Sequence, residues 1–179
     1  MNSDRGLIGL YWSAREESLD RCAQRSFQAL SCLREHGFSS LYRLGRTRKE
    51  ASRSPFELSL PAIRQLLKQG VNRAETGDRK PIPELGFSFS LWSGGDDDYS
   101  YGISSYCGSY SPYVGNNFLV RLPALGSHSL PSLLPVIPAL FRQLLEIWKP
   151  DRAIVCDCDM RWDNGEFARD MNAYLRYPP

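Results

Sequence analysis

The chain has 179 residues, 42% hydrophobic and 23% charged, so a real core is within reach without disulfides or metals. The net charge of +2 points to no particular partner, and five scattered cysteines, an odd number, exclude a dense secreted disulfide framework. No stretch reaches transmembrane length, and the N-terminus lacks the basic and long apolar regions of a signal peptide, so the expected location is the cytoplasm.

Charge is nevertheless unevenly spread. Residues 1–80 carry 15 Lys and Arg against 9 acids, a net of +6, and residues 81–179 carry 7 against 11, a net of −4. That asymmetry predicts a two-sided surface, one side basic and the other acidic.

Leu7 to Trp12 reads as a first buried strand. Ser13 with Glu16 fits a capping box, Ser18 is a rival cap, and the sequence does not choose between them. The helix that follows runs to about Glu35, with Leu19, Cys22, Ala23, Phe27, Leu30 and Leu33 on one apolar face and Gly37 just past its end. Residues 39–55 form a basic connection holding Arg43, Arg46, Arg48, Lys49 and Arg53. Ser59 then caps a short helix with Pro61 in its first turn, Ile63, Leu66 and Leu67 inward, and Gly70 at its end.

Residues 81–110 organise the rest. Phe87, Phe89 and Leu91 alternate with Ser88, Ser90 and Trp92, which marks a half-buried strand. Gly94-Gly95 breaks it, Asp96-Asp97-Asp98 sit at the turn, and Tyr99, Tyr101 and Ile103 then alternate with Ser100, Gly102 and Ser104. The reading is a hairpin with an apolar face and an acidic tip. A strand over residues 117–122, a helix carrying Val136, Ile137, Leu140, Phe141, Leu144, Leu145 and Trp148, and a strand over residues 152–158 complete the order. The expected fold is α+β: one domain over residues 1–179, with a mostly antiparallel sheet of about four to five strands and helices on one face, a two-layer sandwich. The tail from about residue 159 is left unassigned.

Catalytic motifs are missing. There is no Gly-x-Ser-x-Gly elbow, no Walker loop and no His-Glu-x-x-His, and the chain has only two histidines. Asp78-Arg79-Lys80 has the acid-x-lysine order of metal-dependent nucleases but falls in a turn before Pro81. Three consecutive aspartates do not converge on a cation as alternating ligands do. Cys156 and Cys158 lack the second pair that a structural zinc site needs. No cofactor and no metal are expected. The basic connection lacks a nucleic-acid-binding signature around it. What stands out is aromatic surface: Trp92, Tyr99, Tyr101, Tyr106, Tyr110 and Tyr113 cluster around the hairpin, a composition that suits protein binding and sheet packing alike.

Several blocks in one order resemble the immunity protein 52 family. They are Tyr11-Trp12 with Arg15 and Glu17-Ser18-Leu19, Gly45 to Ala51, Pro83 to Trp92, Cys107 to Ser111, and Trp148-Lys149-Pro150-Asp151. The resemblance implies a cytoplasmic, non-enzymatic immunity protein of a bacterial polymorphic toxin system. Its partner would be a cognate toxin, usually a nuclease of restriction-endonuclease-like fold, often delivered by type six secretion. No catalytic residues carry over. The contact candidates are then Asp96, Asp97 and Asp98, with Asp157, Asp159 and Asp163 second, and Trp92, Tyr99 and Tyr101 as aromatic anchors. The alternatives are a metal-dependent nuclease using Asp96 to Asp98 and a nucleic-acid-binding module using the basic connection. Neither a membrane nor direct nucleic acid contact is expected.

Overall fold

The computed structural model describes residues 5–38, 41–43, 55–73, 78, 80–94, 100–124 and 133–157. Their secondary structure is β1 Arg5–Trp12, α1 Leu19–Glu35, β2 Tyr42–Arg43, α2 Leu60–Gln69, β3 Phe87–Trp92, β4 Gly102–Cys107, β5 Asn116–Ala124, α3 Ile137–Trp148 and β6 Arg152–Asp157. The strands form one antiparallel sheet in the order β2-β3-β4-β5-β1-β6. The expected α+β fold, with helices against one sheet face, is what the chain adopts. The sixth strand is the two-residue β2, paired to Trp92 and Leu91 and too short to show any alternation in sequence.

Alternation sets the two faces. The inner face carries Ile8, Leu10 and Trp12 of β1, Phe118 and Val120 of β5, Ile103 and Cys107 of β4, and Phe89 and Leu91 of β3, all buried. Burying such a row of aliphatic and aromatic side chains stabilises by about 1.5–3 kcal/mol each, against the chain entropy lost. The outer face is leaner: Ser90 and Ser104 face each other beside the half-buried Trp92, and Tyr106 is 40% exposed. On β1 the ring of Tyr11 lies over Gly9, where an added Cβ would come within 2.8 Å of it.

Helix α1 lies at the centre of the helical layer and packs against both α2 and α3. Its buried residues are Cys22, Ala23, Ser26, Ala29, Leu30, Cys32 and Leu33. The inward stripe therefore includes Ser26, while Phe27, expected on it, flanks the core. A list of apolar residues alone misses a serine at a core position. The helix ends in a Schellman motif: Phe38 N–H donates to the Leu33 carbonyl (3.0 Å) and Gly37 N–H to that of Arg34 (3.2 Å), with Gly37 at φ 93°. Helix α2 follows expectation, capped by Ser59 and ended at Gly70.

The choice of cap for α1 is made by tertiary structure. Ser18 is the N-cap and accepts from the Arg21 N–H at 3.2 Å. Ser13 is drawn away by Asp151, whose Oδ2 accepts from both its N–H and its hydroxyl at 2.7 Å. Ser18→Ala is expected to cost about 1 kcal/mol in urea unfolding. Glu16→Ala, which would break a capping box, should change stability by less than about 0.5 kcal/mol.

Candidate partner-binding surface

Segments of four of the five motif blocks meet at one end of the sheet, where β1 and β4 end and β5 and β6 begin; Gly45 to Ala51 lies outside the described residues. Asn116, 1% exposed, is the hub. Its Oδ1 accepts from Ser109 N–H (2.8 Å), and its Nδ2 donates to the carbonyls of Ser13 (2.9 Å) and Ser109 (3.0 Å). The Glu84 carbonyl accepts from the backbone N–H groups of Tyr110 and Ser111 and from the Ser109 hydroxyl. Gly86 is required here. Its φ is 62°, and a Cβ would strike the Cys107 carbonyl oxygen and the Ser109 nitrogen.

Beside this knot, Trp148 is fully buried and stacks on Trp12 at 4.9 Å, with Phe118 at 5.3 Å. Arg15 sits 5.0 Å over the Trp12 ring. Arg15 and Arg25 both donate to the Trp148 carbonyl, at 2.9 and 3.0 Å, closing the orphan C-terminal end of α3. Glu17, with 7% of its side chain exposed, bridges the two guanidinium groups at 3.6 and 3.2 Å. Burial holds the Arg25 guanidinium below its usual range, and Glu17 opposes that shift.

Asp151 is the outermost member. The Ser13 N–H and hydroxyl stabilise its charged form and hold its carboxyl below the ordinary aspartate value. Its contribution to stability is therefore complete above about pH 4 and is lost as pH falls through its lowered folded value. Asp151→Asn should lower stability at neutral pH and lose that deficit in strong acid. Parallel pH–stability curves for the two proteins would contradict this.

The three thiols among the described side chains are shielded by burial. Cys22, Cys32 and Cys107 are buried and free. A hydrogen bond with Cys22, together with burial, holds the Cys107 thiol protonated well above its ordinary range, and burial pushes Cys32 up to about 11. Among the described residues no group of three His, Cys, Asp or Glu side chains is placed to hold a metal ion. Asp78 and Lys80 form an exposed ion pair at 2.8 Å, as two neighbours in a turn do.

Of the expected contact residues, Trp92, Tyr101 and Asp157 are described, at or beside the strand ends opposite the knot. Asp96, Asp97, Asp98, Tyr99, Asp159 and Asp163 lie outside the described residues, as does the basic stretch 44–54. The strand ends flanking the acidic connection are described: Trp92 pairs with Gly102, Gly102 with Arg121, Arg121 with Leu7, and Leu7 with Cys156. This row crosses the sheet, and Asp157 follows it directly, opposite Gly6. Four strand spacings, roughly 19 Å, separate Trp92 from β6. Trp92 is half-buried on the outer face. Tyr101 departs from the expectation of a surface anchor. It is 8% exposed and meets Phe38 edge-on at 5.1 Å, and burial pushes its hydroxyl pKa up, so its ring belongs to the core. The tyrosines do not form one cluster: Tyr106, Tyr110 and Tyr113 stand at the knot end, the last 93% exposed.

Residues 5–170 match the family of immunity protein 52. The chain belongs to this family. No curated protein matches the chain significantly. Membership implies an immunity role against a toxin and suggests a non-enzymatic one. In this immunity protein 52 member, the blocks around Trp12, Glu84, Ser109 and Trp148 are the parts that knot the fold together. No described helix is long and apolar enough to cross a membrane.

Sequence reasoning missed Asn116, a hub whose only outward sign is a buried polar residue opening a strand. It also missed a donor-rich groove between α1 and α3, lined by Arg21, Gln24, Gln28 and Lys149 among others. No sequence pattern signals that groove, because its walls come from distant segments.

Proposed function

We propose that this chain binds and neutralises a nuclease toxin domain of restriction-endonuclease-like fold, delivered by type six secretion, in the cytoplasm of the cell it protects. The observation that carries the reading is the family match over residues 5–170. The nuclease class is the partner that the sequence resemblance implies. A nuclease presents a basic, DNA-accepting cleft, and a rigid acidic surface occludes it, with charge accelerating encounter and aromatic rings prolonging contact. Asp96, Asp97 and Asp98 fill that role, with Trp92 and Tyr99 as anchors and Asp157, Asp159 and Asp163 as a second acidic group. The strand ends beside the first group and Asp157 share one end of the sheet. A separation of roughly 19 Å fits under one partner face of about 800 Å².

The test is DNA cleavage by the purified toxin domain during titration with this chain. Inhibition complete near equimolar ratio is expected. Mg²⁺-dependent cleavage by this chain alone, lost in Asp96→Ala, would support the nuclease alternative. A DNA complex with steep salt dependence would support the binding-module alternative.

A further inference from the structure

The helical layer carries a second surface with chemistry opposite to the acidic tip. Between α1 and α3 runs an open groove of about 590 Å³. Its α1 wall is Arg21, Gln24, Arg25 and Gln28; its α3 wall is Gln143, Glu146, Ile147 and Lys149. The groove is rich in donors. Arg25 forms the floor, with Nε on Glu17 and one Nη on the Trp148 carbonyl. The side chains of Arg21, Gln24, Gln28 and Lys149 have no polar partner among the described residues. The Gln143 oxygen accepts from the Cys32 thiol at 2.7 Å, which leaves its amide N–H₂ to point elsewhere. Glu146 is the single acid in the lining.

Lys149 supplies an independent sign. It is the one non-glycine residue with positive φ (46°) among the described residues. A helix that ends in the left-handed region takes glycine by preference, because a Cβ is disfavoured there. A lysine in the last turn would satisfy the helix dipole without that strain. Here the left-handed C-cap, with its N–H on the Leu145 carbonyl and its own carbonyl accepting from Arg15 at 3.3 Å, places Lys149 in the lining of the groove.

We infer that this groove is a second contact for the toxin partner and takes an extended acidic segment of it. Carboxylates meet Arg21 and Lys149, and main-chain carbonyls meet the glutamine amides. A neutral or basic segment would leave the cations unanswered, and Glu146 sets where the partner's acids are placed. The inference rests on the reading that the chain binds a toxin domain.

The experiment is titration of an inactive toxin domain into wild-type protein, Arg21→Glu, Lys149→Gly and Glu146→Gln, with Lys68→Glu on α2 as control. Lys149→Gly relieves the left-handed strain, so its melting temperature should hold or rise while affinity falls. Arg21→Glu with Lys149→Gly should weaken binding about tenfold, and Glu146→Gln should tighten it. Affinities unchanged across the set, with wild type binding, would overturn the groove and leave the proposed function standing. If wild type binds no toxin domain, the proposed function fails, and hexaglutamate followed by amide NMR at low salt still decides the groove's chemistry. Shifts confined to α1 and the end of α3 support it; scattered or absent shifts overturn it.

Discussion

Trp148→Ala is expected to lower the unfolding free energy by about 4 kcal/mol and the melting temperature by roughly 10 °C. The ring is fully buried, stacks on Trp12 and leans on Phe118, so truncation leaves a cavity at the junction of α3, β1 and β5. The neighbouring ring also carries Arg15 on its face, so a shift of Trp12 would disturb the Arg15–Glu17–Arg25 cluster. Total stability for a domain of this kind is about 5–15 kcal/mol, so the variant would be only marginally folded. Trp148→Phe separates packing from polarity. The Trp148 indole N–H is buried without a hydrogen-bond partner among the described residues, so phenylalanine discards that donor and keeps most of the stack. Its loss should stay below about 2 kcal/mol. Equal losses for the two variants, in urea unfolding, would contradict the packing account.

Replacing Asp96, Asp97 and Asp98 together by lysine should slow association with the toxin domain by about a hundredfold at low salt. Adding salt should then speed the variant's association, whereas it slows that of wild type, because the charge on one side has been reversed. Dissociation should change less, since the lifetime of the complex depends on desolvated anchors such as Trp92. Stopped-flow association at several ionic strengths reads both effects. Unchanged rates would remove the acidic tip from the interface and shift attention to the groove between α1 and α3.

Most strands were legible because their chemistry is local, although β4, expected to alternate from Tyr99 to Ser104, spans Gly102–Cys107, and β2 gave no signal. Phe87 to Trp92 alternates over six residues, and β3 has those limits. Both short-range helix signals on α2, the Ser59 cap and the Gly70 stop, also hold. What was not legible depends on distant chain. Ser13 and Ser18 are equally good caps in sequence, and only Asp151, 138 residues away, takes Ser13 out of contention. Tyr101 shows a different lapse. The alternation that put it on the side of Ile103 was right, and that side is the buried one. A tyrosine near an acidic turn suggests surface, but the register decides otherwise. Asn116 and the groove carry no local signal, for the same reason as the cap. Arg25 and Trp148, which join the groove's two walls, are 123 residues apart.

The described motif blocks hold the knot of the fold, while the acidic tip belongs to no block. That division fits an inhibitor whose scaffold is common to a family and whose contact surface is particular to one toxin. The most direct measurement is calorimetric titration of this chain with its cognate toxin domain, paired with growth of cells producing that domain. A one-to-one complex of roughly nanomolar or tighter affinity, with growth restored only when this chain is present, is the predicted result. A toxin domain that neither binds this chain nor is neutralised by it would contradict the account.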